Sequence, residues 1–386
     1  MKGATFSAMK FVRIRAMLLG LAVIAVSTVW GQQQQPKEPL EIKSLFNPQV
    51  VLISGKPTMY YELHLLNSSG DSLFLQSLYI ANQDSAWLRI ITKDDLWKRY
   101  GTGKKTKDPQ ELILPPHESG ILYVEMKAPG NKAGALLHQL TYTTIRHPTA
   151  GLRTASLPLI RYEPVTPLVI GPPLREGAWA AVYDPAWERG HRRVVYAPDG
   201  QSRIPGRFAI DFIKMDEQGK YASGDENDIK NWLGYGATVI AVADGVVAST
   251  LNDFPESKTL SAHPSWPSEK ATGNYISLDI GNGHFAFYEH LQPGSIKVKP
   301  GQKVKKGDPI AALGFTGQTT GPHLHFHIAN SNSPLGAEGM PFAFKRFTLL
   351  GSWSDFSQFG KAPWIPAQKV IVKERPAPNA VIRFQP

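Results

Sequence analysis

The segment from residue 321 to residue 328 alternates histidine with apolar side chains and constrains the fold more than any other part of the chain. Its two sets of side chains are His323, His325 and His327, and Leu324, Phe326 and Ile328. Because successive side chains of a β-strand point to opposite faces, this pattern predicts a strand with three imidazoles on one face and an apolar anchor on the other. Imidazoles held on a rigid element are suited to metal binding and proton transfer. The alternative is that these histidines line a solvated face of the sheet.

The amino-acid composition limits which residue types could bind a metal. The 386 residues contain no cysteine, which excludes disulfides, thiolate ligands and cysteine nucleophiles. Any zinc site would therefore use histidine and carboxylate ligands. The 34 glycines and 31 prolines favour many turns and a β-rich fold, and the length favours two domains.

Residues 1–31 have the features of a signal peptide. Basic residues precede an apolar run from Met17 to Trp30, and no acidic residue occurs before Glu38. We expect cleavage before the Gln32–Gln35 tract, which predicts a secreted or periplasmic protein without stable membrane insertion after cleavage. An uncleaved anchor is the alternative, although the apolar run is short for a membrane span.

The net charge of +10 predicts attraction to an anionic surface. Nucleic acid would suit this charge, but the signal segment and the lack of a recognition-helix pattern argue against it. A cell wall or membrane face is the better interpretation, and the sequence gives no prediction of oligomeric state.

Turn signals divide the chain into short strands and predict an all-β fold. Alternating runs at 58–65, 73–80 and 120–126 favour an immunoglobulin-like β-sandwich over residues 38–165. A Pro-rich connector over 166–190 follows. Residues 191–350 are predicted to form a second β-sheet domain, and residues 351–386 a C-terminal extension with one edge strand.

Seven of the eleven histidines lie between positions 191 and 327, within the predicted second domain. A zinc hydrolase needs three protein ligands and an open position for water, and His325 is a candidate ligand with His323 as a proton relay. Asp211 interrupts an apolar strand between Ile210 and Phe212. Since a buried charge is costly unless it is paired or metal-bound, Asp211 is the candidate carboxylate ligand, although a salt-bridged aspartate remains the alternative.

Residues 206–328 resemble the lysostaphin-type zinc metallo-endopeptidases that cleave peptidoglycan. The runs that carry the resemblance occur in family order at 236–247, 273–283, 288–291, 298–310 and 314–326. The resemblance implies a β-sheet peptidase domain of the duplicated hybrid motif, with a groove for an extended peptide. It also implies a Zn²⁺ cofactor and hydrolysis of peptide bonds in stem peptides or cross-links.

The resemblance assigns roles to four residues. Asp211 and His325 would be zinc ligands, and His290 and His323 would be the catalytic pair that handles the water and the oxyanion. Around them we expect His327, Tyr288 and Arg207 to support a ligand or contact the substrate.

One position departs from the family pattern. The family's first ligand is usually a histidine four residues before the aspartate, and here that residue is Arg207, which cannot bind zinc. Either the metal site is lost, which would leave an inactive homologue that binds the cell wall or activates another hydrolase, or another histidine replaces this ligand. An antiparallel hairpin centred near Gln201 would place His191 opposite Asp211, so His191 is the predicted third ligand. A peptidase that acts on other peptides, such as Gly-rich proteins, is a further alternative.

Overall fold

The computed structural model describes residues 38–101, 111–130, 132–147, 149, 151–162 and 168–385. The predicted signal peptide lies outside these ranges, as do residues 166 and 167 of the predicted connector. Within them the secondary structure is almost entirely β, which confirms the predicted class. None of the described helices is long and apolar enough to cross a membrane.

Two antiparallel sheets are built from the first part of the described chain. The first has the order β1-β3-β8-β6 with β2 beside β3, and the second has the order β10-β9-β4-β5 with β7 beside β4. A short helix α1 (Lys93–Arg99) connects β5 to β6. The strands are β1 (Leu40–Lys43), β2 (Val50–Ile53), β3 (Lys56–Asn67), β4 (Leu73–Asn82), β5 (Trp87–Thr92), β6 (Tyr100–Gly101), β7 (Ile113–Leu114), β8 (Ser119–Lys127), β9 (Gly134–Thr144) and β10 (Arg153–Tyr162).

The two sheets share one hydrophobic core and so form a sandwich. Leu63 and Val124 of the first sheet are packed in the same cluster as Leu78 and Leu140 of the second, and all four are buried. Alternation along the strands supplies these side chains, as the sequence predicts. We call residues 39–162 the sandwich; its immunoglobulin-like connectivity remains a prediction.

A twelve-stranded sheet dominates the rest of the chain. Its order is β11-β22-β24-β12-β13-β20-β17-β16-β15-β18, with β21 beside β20 and β23 beside β22, while β14 and β19 pair separately. These strands are β11 (Leu168–Ile170), β12 (Ala178–Val182), β13 (Ile210–Met215), β14 (Thr238–Ile240), β15 (Gly245–Leu251), β16 (Asn274–Asp279), β17 (Phe285–Leu291), β18 (Lys303–Val304), β19 (Pro309–Ala312), β20 (Leu324–Ala329), β21 (Gly339–Met340), β22 (Phe342–Ser352), β23 (Ile365–Glu374) and β24 (Ala380–Phe384). Five 3₁₀ turns accompany them at His191–Arg193, Pro205–Phe208, Ile229–Asn231, Ser268–Lys270 and Phe356–Gln358.

Strand β20 lies inside this sheet, between β13 and β17. Leu324, Phe326 and Ile328 are fully buried in the main core, as the alternation predicts. The histidine face is also covered, since His327 is only 1% exposed. The predicted strand is therefore correct, and its polar face is largely buried rather than spread on a solvated surface.

The connector and the C-terminal segment belong to the large sheet. The predicted connector contains β11 and β12, and β12 pairs with β13 and β24. The prediction of a C-terminal edge strand is wrong, because β24 lies between β22 and β12. Burial of Val381 and Ile382, both fully covered, explains why this segment joins the sheet interior.

Candidate metal centre and active site

Sheet pairing places the predicted aspartate and histidine side by side. Asp211 of β13 is directly opposite His325 of β20, so their side chains share one face of the sheet. The His325 Nδ1 lies 2.9 Å from the Asp211 Oδ1. Two residues that are 114 positions apart are thus held together by backbone hydrogen bonds on rigid strands.

His191 reaches the same carboxylate from a 3₁₀ turn. Its Nε2 lies 2.9 Å from the Asp211 Oδ2. The predicted hairpin is wrong, because Asp211 pairs with Val182 and the bridge nearest Gln201 joins Tyr196 to Arg203. Close packing of two turns brings His191 into place instead: a Cβ at Gly206 would lie 2.8 Å from the His191 Cβ, so residue 206 must be glycine.

The His191, Asp211 and His325 side chains suit a zinc ion. One ligand atom from each lies within 4.8 Å of the others. Donors about 2.0 Å from a tetrahedral ion would be about 3.3 Å apart. The His191 Nε2 lies 2.9 Å from the Asp211 Oδ2 and the His325 Nδ1 lies 2.9 Å from the Asp211 Oδ1, so each imidazole is near that spacing from one carboxylate oxygen. Burial alone would raise the pKa of Asp211, but His191 and His323 lower it well below its usual value, so the carboxylate is ionised. Two imidazoles and one carboxylate beside an open cleft are the kind of donor set found at catalytic rather than structural zinc sites.

His290 is turned toward this cluster by an irregularity in β17. The pairing of β16 with β17 shifts register there, which leaves one extra residue in β17 at Glu289–His290. His290 adopts a φ of 62°, which is uncommon for a residue other than glycine. Such a bulge lets the consecutive Glu289 and His290 reach the same face of the sheet.

Hydrogen bonding orients the His290 ring. Its Nδ1 lies 2.7 Å from the carbonyl oxygen of Thr316, which can only accept, so this nitrogen carries the proton. The Nε2 is left without a proton. Burial, together with His323 and His325, holds the pKa of His290 well below its usual value, so the ring is neutral.

His323 is held in a similar way. Its Nδ1 lies 2.8 Å from the carbonyl oxygen of Gly321, and its Nε2 lies 3.2 Å from the Asp211 Oδ1. Burial opposes protonation of this ring, but the Asp211 carboxylate raises the pKa of His323. With an acceptor at each nitrogen, the ring is placed to donate from Nε2.

Glu289 and His327 form a second buried layer beneath His325. Glu289 is directly opposite His325, and its Oε1 lies 3.8 Å from the His327 Nδ1. The His327 ring stacks on Phe287 at 4.8 Å, and neither nitrogen has a hydrogen-bond partner among the described residues. Burial and the Asp211 charge raise the pKa of Glu289 to about 8. Sequence reasoning missed Glu289, although an acid within the apolar run 285–291 is the signal that identified Asp211.

Two predicted supporting residues lie elsewhere. Tyr288 is fully buried in the main core, where its hydroxyl accepts a hydrogen bond from the Val242 amide at 2.9 Å. It therefore faces away from the cluster. Arg207 does not line the cleft either: its guanidinium is paired with Glu62 of the sandwich and with Glu338.

A cleft of about 500 Å³ opens over the cluster. Trp266 and Ser268 of the loop 253–272 line one part of it, and Tyr196 and Leu335 line another. His263 of the same loop lies outside this lining, with its Nε2 2.7 Å from the Gly317 carbonyl oxygen. The His290 and His323 rings line the same cleft.

Residues 228–336 match the model of peptidase family M23. The chain contains a peptidase M23 domain. The matched segment includes His290, His323 and His325, whereas His191 and Asp211 precede it. The donor set assembled around Asp211 thus extends beyond the matched part of the M23 domain.

Curated relatives match part of the chain. Peptidoglycan DD-endopeptidase ShyA of Vibrio cholerae is 37% identical over 102 residues, which are 26% of this chain and 20% of ShyA. Glycyl-glycine endopeptidase ALE-1 of Staphylococcus capitis is 31% identical over 143 residues, covering 34% of this chain and 38% of ALE-1. The chain thus matches only about a fifth of the length of ShyA.

Solved structures also match part of the chain. The catalytic domain of lysostaphin from Staphylococcus simulans has 26% sequence identity and a TM-score of 0.23, and the match covers 38% of this chain and 85% of that one.

Proposed function

We propose that this protein is a secreted zinc metallo-endopeptidase that hydrolyses peptide bonds in peptidoglycan stem peptides or cross-links. The observation that carries this proposal is the convergence of His191, Asp211 and His325 at the base of a cleft that the His290 and His323 rings also line. The M23 domain and its peptidoglycan endopeptidase relatives support the substrate class. The chain remains basic without the predicted signal peptide, which holds four of its 42 lysines and arginines and none of its 32 acidic residues, and this supports attraction to an anionic cell wall.

The two imidazoles and the carboxylate around Asp211 would hold the metal ion. When bound, zinc would polarise the scissile carbonyl and lower the pKa of its water from about 15.7 toward about 7. Asp211 supplies the negative charge of the ligand set, and the strand pairing of β13 with β20 fixes two of the three donors before any ligand binds.

His290 and His323 would divide the proton handling. The Thr316 carbonyl holds the His290 proton on Nδ1, so its free Nε2 can accept a proton from the attacking water. The Gly321 carbonyl holds the Nδ1 proton of His323, and the Nε2 facing Asp211 donates. That N–H can stabilise the oxygen of the substrate carbonyl as negative charge develops on it.

The decisive experiment measures metal content and turbidity loss of purified sacculi together. We expect the wild type to contain about one zinc per chain and to lyse sacculi, and mass spectrometry of the released muropeptides to identify the cleaved bond. His325→Ala and His191→Ala should lose both metal and lysis, because each removes one of three ligands.

His284→Ala is the matched control, since this histidine lies outside the cleft lining. It should retain metal and activity. A wild type that neither holds zinc nor releases peptides would contradict the proposal and favour an inactive homologue. Full activity in His191→Ala would show that His191 is not the third ligand, and the rest of the proposal would stand.

A further inference from the structure

A carboxylate of the sandwich is buried between two arginines of the second half of the chain. Glu62 on β3 accepts from the Arg192 Nε at 2.8 Å through one oxygen and from the Arg207 Nε at 2.7 Å through the other. The side chains of Glu62 and Arg192 are each 4% exposed, and that of Arg207 is 7% exposed. Burial alone would raise the pKa of Glu62, but Arg207 and Arg192 lower it, so the carboxylate remains charged.

Each arginine lies in a turn that positions one proposed metal ligand. Arg192 directly follows His191 in the first turn. Arg207 lies in the turn Pro205–Phe208, which leads into β13 and its Asp211. The two turns are in contact at Gly206 and the His191 Cβ. Glu62 therefore connects the two turns at the point where they bring His191 to Asp211.

Other sandwich groups hold the first turn in place. The Arg192 Nη2 donates to the carbonyl oxygens of Tyr61 at 2.6 Å and Val124 at 2.8 Å. The neighbouring Arg193 lies over the Tyr123 ring at 4.0 Å. His191 itself has no strand pairing, in contrast to Asp211 and His325, which are fixed within the sheet. Its position thus depends on the sandwich.

We infer that the sandwich completes the metal centre, with Glu62 as a positioning residue that fixes His191 through Arg192 and Arg207. This inference rests on the proposed zinc site. A carboxylate that aligns a ligand from outside the coordination sphere typically changes metal affinity by about 10- to 100-fold. Glu62 acts on the ligand's backbone turn rather than on the imidazole, so loss of Glu62 should misplace the third donor while Asp211 and His325 stay in place.

The test compares Glu62→Gln with Glu374→Gln in the full chain. Zinc affinity is measured by competition with a chromophoric chelator, and Co²⁺ loaded in place of zinc reports the coordination geometry by its visible absorption. Glu62→Gln should bind zinc about 10- to 100-fold more weakly and show an altered Co²⁺ spectrum. Glu374 also joins the two regions, by accepting from the Gly55 amide at 2.9 Å, but it contacts neither turn, so Glu374→Gln should match the wild type.

A second pair of variants separates positioning from general destabilisation. Leu63→Ala removes a fully buried side chain of the sandwich core next to Glu62, and it should lower stability without changing the Co²⁺ spectrum. Arg192→Lys keeps the charge, but its single nitrogen cannot occupy both the Nε position that bonds Glu62 and the Nη2 position that bonds the Tyr61 and Val124 carbonyl oxygens. It should therefore reproduce the effect of Glu62→Gln, and it provides the test if Glu62→Gln folds poorly.

The inference is overturned if folded Glu62→Gln or Arg192→Lys binds zinc as tightly as the wild type with an unchanged spectrum. Equal losses of affinity in Leu63→Ala would also overturn it, because they would show a stability effect alone. A wild type that binds no zinc would instead contradict the proposed function, so the two failures are distinguishable.

Discussion

The sandwich and the M23 domain bury histidine in opposite ways. His138 is fully buried in the sandwich, and its Nε2 is satisfied by the Tyr61 hydroxyl at 2.7 Å. In the M23 domain the His290, His323 and His325 rings lie close together beside the Asp211 carboxylate. Burial of an imidazole costs less when one of its nitrogens is hydrogen-bonded locally, as in His138. The imidazoles around Asp211 are instead part of the proposed metal site. The contrast distinguishes a histidine of a hydrophobic core from histidines gathered at a proposed metal site.

Removal of the shared charge should have the largest effect. Asp211→Asn keeps the shape of the side chain but removes the negative charge that three imidazoles approach. Substitution of a residue outside the coordination sphere typically lowers metal affinity or activity by about 10- to 100-fold. We expect Asp211→Asn to reduce metal binding and sacculus hydrolysis by well more than this. Metal analysis and muropeptide release measure both. Asp71→Asn in the sandwich, where the carboxylate accepts from the Arg146 amide at 3.1 Å, should leave both unchanged.

Removal of the proposed base should reduce the rate without removing the metal. His290→Ala should lower kcat by about 100- to 10,000-fold, the usual contribution of a positioned general base. Its zinc content should stay near that of the wild type, because His191, Asp211 and His325 remain. If His290→Ala emptied the site, the ring would belong to the ligand set and the proposed roles would have to be exchanged.

The sandwich histidine should affect stability rather than activity. Burial lowers the pKa of His138 from 6.5 to about 4, so the unfolded chain binds a proton more readily than the folded one between these values. The stabilisation is complete above pH 6.5 and is lost progressively as the pH falls toward 4, by roughly 3 kcal/mol.

Urea unfolding near neutral pH and near pH 4 measures this loss, and His138→Gln is the control. Glutamine can still bond the Tyr61 hydroxyl but does not titrate, so the variant should lose less stability on acidification. Equal losses in the two proteins would show that His138 does not carry the effect. Sacculus hydrolysis at neutral pH should be unchanged in His138→Gln.

Local patterns were sufficient for the parts of the site that lie on regular strands. Alternation placed His325 on a polar face, and an acid in an apolar run identified Asp211. His191 is different, because its position depends on contacts of Arg192 with Glu62, 130 residues earlier in the chain. The residue pattern within the segment 191–211 does not reveal a contact with a residue so distant in the sequence. The expected proximity of His191 and Asp211 was observed, but the hairpin invoked for it does not exist.

The bulge in β17 explains both the Tyr288 error and the missed Glu289. In a regular strand Tyr288 and His290 would share a face, and Glu289 would point away from them. The extra residue reverses this relationship: Tyr288 enters the core, while Glu289 and His290 both line the cleft. A bulge depends on the neighbouring strands, here on the Thr272 and Thr316 carbonyl oxygens that bind the His290 amide and ring, and these contacts are not local in sequence.

Tyr288→Phe should have the smallest effect on activity. It tests whether Tyr288 belongs to the hydrophobic core or to the site. The change removes the hydroxyl that accepts from the buried Val242 amide and leaves that N–H unpaired. We expect a loss of about 1–3 kcal/mol in unfolding free energy, with kcat, KM and zinc content close to those of the wild type. Thermal or urea unfolding and sacculus hydrolysis measure the two quantities separately. A tenfold fall in kcat at full metal occupancy would instead mean that the Tyr288 hydroxyl reaches the substrate. The bulge would then not separate Tyr288 in the core from Glu289 and His290 in the cleft, as the strand register indicates.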